Sequence, residues 1–315
     1  MNHRIPSGTR DVLPDEMREL RAITDTLRGV FELHGYGEVY TPAIEYEATL
    51  RRGNGGVQPA YRVFDDHGDV LALRADMTVP IARLVATRYP AADPPLRFCY
   101  IAHAYRQVTP HRGQMREFLQ AGIELVGSPG PPGTAEALTV LCHALDAVGL
   151  EGYRVGLGDA ALYPALLSGL GVDEEHRERL LHELATKDFV GLEREVRELG
   201  LDTDLLVGVP QLRGGPDVLD APPGPVADAL IGLRSVLDLL EPSVSERVIF
   251  DLGLARGLGY YTGAVFDVYD PALGEPLGGG GRYDDLLGRF GRALPAVGFA
   301  IGVDRLHAAL AGEGR

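Results

Sequence analysis

Tryptophan is absent from the 315 residues, and cysteine occurs only at Cys99 and Cys142. Two thiols are too few for a disulfide framework or a tetrahedral metal site, and both sit in apolar stretches where a reduced thiol packs well. No apolar run approaches the roughly 20 residues that span a bilayer, and Met1 to Gly8 has no hydrophobic stretch of the secretory kind. A cytoplasmic chain with no membrane partner is expected. Basic residues are scarce as well: 30 Lys plus Arg stand against 45 Asp plus Glu, a formal charge of −15. Such a mean field repels a polyphosphate backbone, which argues against tRNA or duplex binding while leaving room for a local basic cleft. Also missing are a G-x-S-x-G elbow, an H-E-x-x-H pair and any His/Cys grouping at metal spacing, so neither a metal nor a cofactor is expected.

What is present is an ordinary globular composition, 45% hydrophobic and 24% charged, which suits one large domain or two moderate ones. A first helix should run from Pro14 to His34, with Leu20, Ile23, Leu27, Val30 and Phe31 forming an apolar stripe at spacings of three and four that docks on a sheet. Tyr61 to Asp76 reads as a hairpin turning at Asp65 to Gly68, followed by a helix to about Tyr89. Leu96 to Arg106 and Arg116 to Gly127 read as strands. In the second, Glu117, Leu119, Ala121, Ile123 and Leu125 share one face, and Arg116, Phe118, Gln120, Gly122 and Glu124 share the other. That polar face either meets water or lines a pocket.

The breaker cluster Ser128 to Gly133 should precede a helix from Thr134 to Val148, and Arg154 to Asp159 is a strand. From Leu162 to Pro242 the texture becomes helical, with Gly and Pro between segments; its charged stretch Glu174 to Arg179 reads as solvated helix surface. Strands return at Arg247 to Leu252 and Ala264 to Tyr269, before a glycine cluster, a last strand and a last helix. Hairpins rather than strict βαβ alternation favour an antiparallel α+β sheet over a Rossmann fold.

Three motifs could carry chemistry. Asp251 to Gly263 sets Arg256 and the phenols of Tyr260 and Tyr261 among glycines, a composition suited to the floor of a cavity that grips a carboxylate or phosphate. Gly278 to Asp284 (GGGGRYD) could cradle an anion, although without a following Lys-Ser/Thr it reads more readily as a flexible turn. Ala296 to Leu306 is a small-residue strand leading into a helix with Arg305 in the first turn. A cation there opposes the helix dipole, so an anion is expected nearby, with Asp304 the nearest choice.

Read together, these segments resemble histidyl-tRNA synthetase: Pro6 to Pro14 (PSGTRDVLP), Leu73 to Thr78 (LRADMT), Tyr105 and Arg106, Gln120 to Glu124 (QAGIE), Arg256 to Tyr261 (RGLGYY), Gly280 to Asp284 (GGRYD) and Gly298 to Arg305. The resemblance implies the class II synthetase fold, an antiparallel sheet of six or more strands flanked by helices and usually dimeric. It also implies a synthetase-like core in 1–160 and 246–315 and a mainly helical insertion in 161–245. By the same resemblance Asp76, Thr78 and Gln120 would hold the ammonium of histidine, Arg106 and Arg256 its carboxylate end, and Glu124 with Tyr261, beside Tyr260, its imidazole. Asp76 stands where the synthetase has glutamate, one methylene longer, so the ammonium would be held differently or through water.

The departures concern ATP. Val108 replaces a glutamate that meets the adenine amino group, and Gln114 replaces a phosphate-binding arginine, while Arg305 is retained, so the nucleotide site is expected to be degenerate. The chain ends ten residues past Arg305, where a synthetase would continue into an anticodon-binding domain. A synthetase-like body of this kind resembles the regulatory subunit of ATP phosphoribosyltransferase, matching over Leu73 to Arg83, Arg116 to Gly127 and Tyr260 to Phe266. That implies a non-catalytic partner of a short catalytic subunit in the first step of histidine biosynthesis, with histidine as ligand, self-association, no tRNA and no catalytic residue of its own. The enzymatic alternative is a stand-alone paralogue that adenylates an amino acid for a non-tRNA acceptor.

Overall fold

The computed structural model describes residues 4–54, 60–107, 115–220, 226–254 and 259–314. Proline fits the first turn of a helix because its missing N–H has no intrahelical partner there, and helix α1 (Pro14–Leu33) begins so. The turn that stops it passes through Gly35, whose φ of 81° is a conformation that L side chains rarely adopt. Its stripe is buried at Leu20, Ile23, Leu27 and Phe31, with Val30 half-buried. Strands β1 (Gly37–Glu38) and β2 (Ile44–Tyr46), helix α2 (Glu47–Asn54), the hairpin β3 (Arg62–Phe64) and β4 (Val70–Leu73), and helix α3 (Thr78–Arg88) follow.

The long strands β5 (Leu96–Tyr105) and β6 (Glu117–Val126) lead to α4 (Gly130–Ala147) and β7 (Arg154–Asp159). Helix α4 starts inside the breaker cluster rather than after it. Its first turn contains Pro131 and Pro132, which the sequence reading took for loop but which the N-terminal turn accommodates. Helices α5 (Leu162–Gly169), α6 (Glu174–Thr186), α7 (Phe189–Glu198) and α8 (Thr203–Leu206) come next, then strand β8 (Arg213–Gly214), α9 (Ala227–Leu237) and α10 (Pro242–Ser245). The chain returns through β9 (Val248–Asp251), β10 (Ala264–Tyr269), β11 (Gly278–Arg282), β12 (Ala296–Gly302) and α11 (Val303–Gly312). Among the described residues no helix is long and apolar enough to cross a membrane.

Among the described residues the main sheet has nine strands in the order β1-β5-β6-β12-β11-β10-β7-β9-β8, and β2-β4-β3 form a second. All pairings from β5 to β7 are antiparallel; β1 joins β5, and β9 joins β7, in parallel at the flanks. One face of β6 buries Ala121, Ile123 and Leu125 completely beneath α1 and α4. The other face, with Gln120, Gly122 and Glu124, turns away from that core toward a cavity. Glycines 278 to 281 form a central strand, not a flexible turn. A Cβ on Gly280 would lie 2.0 Å from the Gly298 carbonyl oxygen, so the close approach of β11 and β12 requires bare backbone there.

Candidate functional site

The strand register decides which polar side chains meet. On β6, Gln120 lies opposite Gly302 of β12, Gly122 opposite Ala300, and Glu124 opposite Gly298. The Tyr100 ring crosses the gap left by Gly122, where a Cβ would come within 2.5 Å of its hydroxyl. The result is a cavity of about 620 Å³ whose lining includes Asp76, Thr78, Arg106, Gln120, Tyr260 and Tyr261. Arg305 lies on the same wall as Glu275 and Gly302, which also border the space.

Asp76 precedes α3 and accepts the Val79 amide at 3.2 Å, so the helix start fixes its carboxylate. Burial raises its pKa against the opposing influence of that amide and of the Arg106 charge. Arg106 itself stacks over the Phe118 ring, 4.9 Å from its centroid. Gln120 is 7% exposed, and its Oε1 is buried with no hydrogen-bond partner among the described residues. An acceptor left so costs about 1 to 3 kcal/mol unless a ligand donor reaches it.

Glu124 is 1% exposed and sits beneath the cavity wall, not on its surface. Its Oε1 accepts from the Thr78 hydroxyl at 2.7 Å, and its Oε2 accepts from the Tyr283 hydroxyl. Burial, with Asp76 nearby adding repulsion, pushes the carboxyl well above the usual carboxylate range despite the Thr78 hydrogen bond. The Tyr260 ring lies 4.9 Å from Tyr261 and 5.7 Å from Tyr283, centroid to centroid, and burial raises the Tyr100 and Tyr260 hydroxyls well above the phenol range. The inner cavity is therefore lined by phenols with the Asp76 carboxyl and the Gln120 Oε1 acceptor among them, an environment that favours a ligand rich in N–H donors.

The sequence-derived set thus divides. Asp76, Thr78, Arg106, Gln120, Tyr260, Tyr261 and Arg305 line one cavity, and Glu124 lies just below it. Arg256, Val108 and Gln114 fall outside the described residues. Asp304 is not the anion beside Arg305: it accepts Arg10 at 2.6 Å and the Leu119 amide at 3.2 Å. Three contributors escaped the sequence reading as site residues. Tyr283 stood in view inside the GGRYD run, and Tyr100 in a strand opposite a glycine. Nothing local marked Glu275.

Comparison with known proteins gives a consistent picture. A family model described as histidyl-tRNA synthetase matches residues 8–306. An ATP phosphoribosyltransferase regulatory subunit from Desulforamulus reducens is 39% identical, over 98% of this chain and 79% of its own length. Another from Symbiobacterium thermophilum is 42% identical, over 96% of this chain and 79% of that protein. The crystal structure of an ATP phosphoribosyltransferase regulatory subunit/histidyl-tRNA synthetase from Bacillus halodurans superposes with a TM-score of 0.89 at 34% identity, covering 98% of this chain and 84% of that one. The chain belongs to the ATP phosphoribosyltransferase regulatory subunit family, on a histidyl-tRNA synthetase-like fold.

Proposed function

We propose that this chain is a non-catalytic regulatory subunit that joins a short catalytic subunit of ATP phosphoribosyltransferase and binds histidine in the cavity, coupling the amino acid's level to the first step of its synthesis. The observation that carries the ligand reading is the buried, unpartnered Gln120 Oε1 in a cavity shared with Asp76 and Thr78. An ammonium group would supply the donor that oxygen lacks and a counter-charge for Asp76. Arg106, and Arg256 by resemblance, would take the carboxylate, and Tyr261 the imidazole edge. Glu124 would act from below, through the Thr78 and Tyr283 hydroxyls that hold it.

Calorimetry with histidine tests the pocket: Gln120→Ala should weaken binding at least tenfold, and the Glu124→Ala, Arg256→Ala double variant should abolish it. Normal histidine inhibition in a complex assembled with that double variant would overturn the sensing role. The partner is tested by co-purification with the short catalytic subunit, and the absence of own catalysis by pyrophosphate exchange with histidine. Exchange at a synthetase's pace would instead favour an adenylating enzyme. The same reading holds the chain to be a self-associating cytoplasmic protein with a synthetase-like core in 1–160 and 246–315 around a helical insertion in 161–245.

For a ligand to regulate, it must bind two states of the complex with different affinity, and a coupling of about 1 to 3 kcal/mol is typical. The cavity sits over the central strands, so ordering of its walls on binding would be felt by the helices packed against that sheet.

A further inference from the structure

An arginine in the first turn of a helix opposes the helix dipole and calls for an anion. Arg305 stands in that position on the ten-residue helix α11. Its neighbour Asp304 is engaged by Arg10. The anion it does meet is Glu275, 30 residues earlier in the loop before β11: Nη2 donates to Oε2 at 2.7 Å, while Nη1 donates to the Pro276 carbonyl at 2.6 Å. Both residues border the outer part of the cavity, together with Gly278 and Gly302.

We propose that Glu275 is a built-in anion that occupies Arg305 and keeps phosphate-bearing ligands out of the outer half of the cavity. A guanidinium fork fits a carboxylate and a phosphate alike, so the two compete for the same donors. The α11 N-terminus adds partial positive charge to that spot. With Glu275 in place, an incoming phosphate must displace one carboxylate in a cavity whose lining also includes Asp267. The cavity is then selective by charge: it admits a compact zwitterion at its inner end and rejects a polyphosphate at its outer end. This selectivity does not depend on the identity of the inner ligand.

The test is calorimetry of inorganic pyrophosphate at low salt with the full chain, its Glu275→Ala and Arg305→Ala variants, and the double variant. The two side chains are 46% and 55% exposed, so truncating them leaves the core untouched. Glu275→Ala should bind pyrophosphate about fivefold more tightly, the upper range for one half-exposed ion pair, and the gain should vanish in the double variant. Unchanged affinity in Glu275→Ala, or a gain that survives the loss of Arg305, would overturn the proposal. Histidine titrated into the same four proteins reports on the inner pocket separately, so the two readings can fail independently.

Discussion

Glu124 shows how far a residue's chemistry is set by its surroundings. A carboxyl whose pKa is higher in the folded chain than in the unfolded one binds its proton more tightly when folded. Its contribution to stability therefore falls as pH rises from the ordinary value toward the raised one. Glu124 and Asp76 are both raised by burial, and Asp159 is raised to about 6 for the same reason. Glu124→Gln should thus raise Tm at pH 8 by a few degrees, roughly 2 to 4 °C per kcal/mol, flatten the decline between pH 5 and 8, and weaken histidine binding. Thermal unfolding across that range checks it; a Tm at pH 8 below that of the unaltered protein would contradict the assignment. Tyr283→Phe separates position from charge: it leaves the carboxyl in place, removes one of its two donors, and should weaken histidine binding while moving the pH at which binding is half lost.

At the scale of elements, the sheet's closest contacts depend on glycine. A Cβ on Gly298 would lie 1.9 Å from Glu124 Oε2 and 2.5 Å from the Ile123 carbonyl oxygen. Gly298→Ala should therefore cost about 1 to 3 kcal/mol, as overpacking does. Gly232 in α9 has nothing within 4 Å of its added Cβ, and Gly232→Ala should gain up to about 1 kcal/mol from helix propensity. Urea midpoints for the pair provide the comparison. Helices α1 and α4 meet at His34 and His143, whose ring nitrogens lie 3.1 Å apart. Burial, then the neighbouring His143, lowers the His34 pKa below 6.5. A base depressed by folding contributes stability that is present above its unfolded value and is lost as pH falls through the folded one. His34→Gln should therefore lose less stability than the unaltered protein between pH 7 and 5, measured by urea unfolding at both.

Most of these elements were legible in the sequence because their signals are local. The period of α1, the alternation of β6 and the bounds of β7 all follow from residues within a few positions of one another. The start of α4 was not, because a Gly-Pro cluster is compatible with both a loop and a first helical turn. The glycine strand β11 was also ambiguous: without side chains it has no period to read, and only its pairing with β10 and β12 makes it a strand.

Over the whole molecule, contacts between distant parts of the chain complete the site. Arg10 bridges to Asp304 of α11 and to Glu16 of α1, tying the first residues to the last helix at the edge of the cavity. Both sides of the Arg10–Asp304 pair are about one-third exposed or less, so Arg10→Ala should cost about 1 kcal/mol. It should also loosen the first turn of α11, seen as faster amide exchange around Arg305. Unchanged exchange there would mean that α11 is held by its apolar face alone.

The sequence by itself determined the fold class, the order of the longer elements and seven of the residues that line the cavity, because periodicity and motif chemistry act over short stretches. The tertiary structure alone decided three things: that Glu124 lies below the wall, that Tyr283 reaches it across 159 positions, and that Glu275 rather than Asp304 meets Arg305. Each depends on strand register and loop path, which bring together side chains whose separation along the chain leaves no local pattern to read.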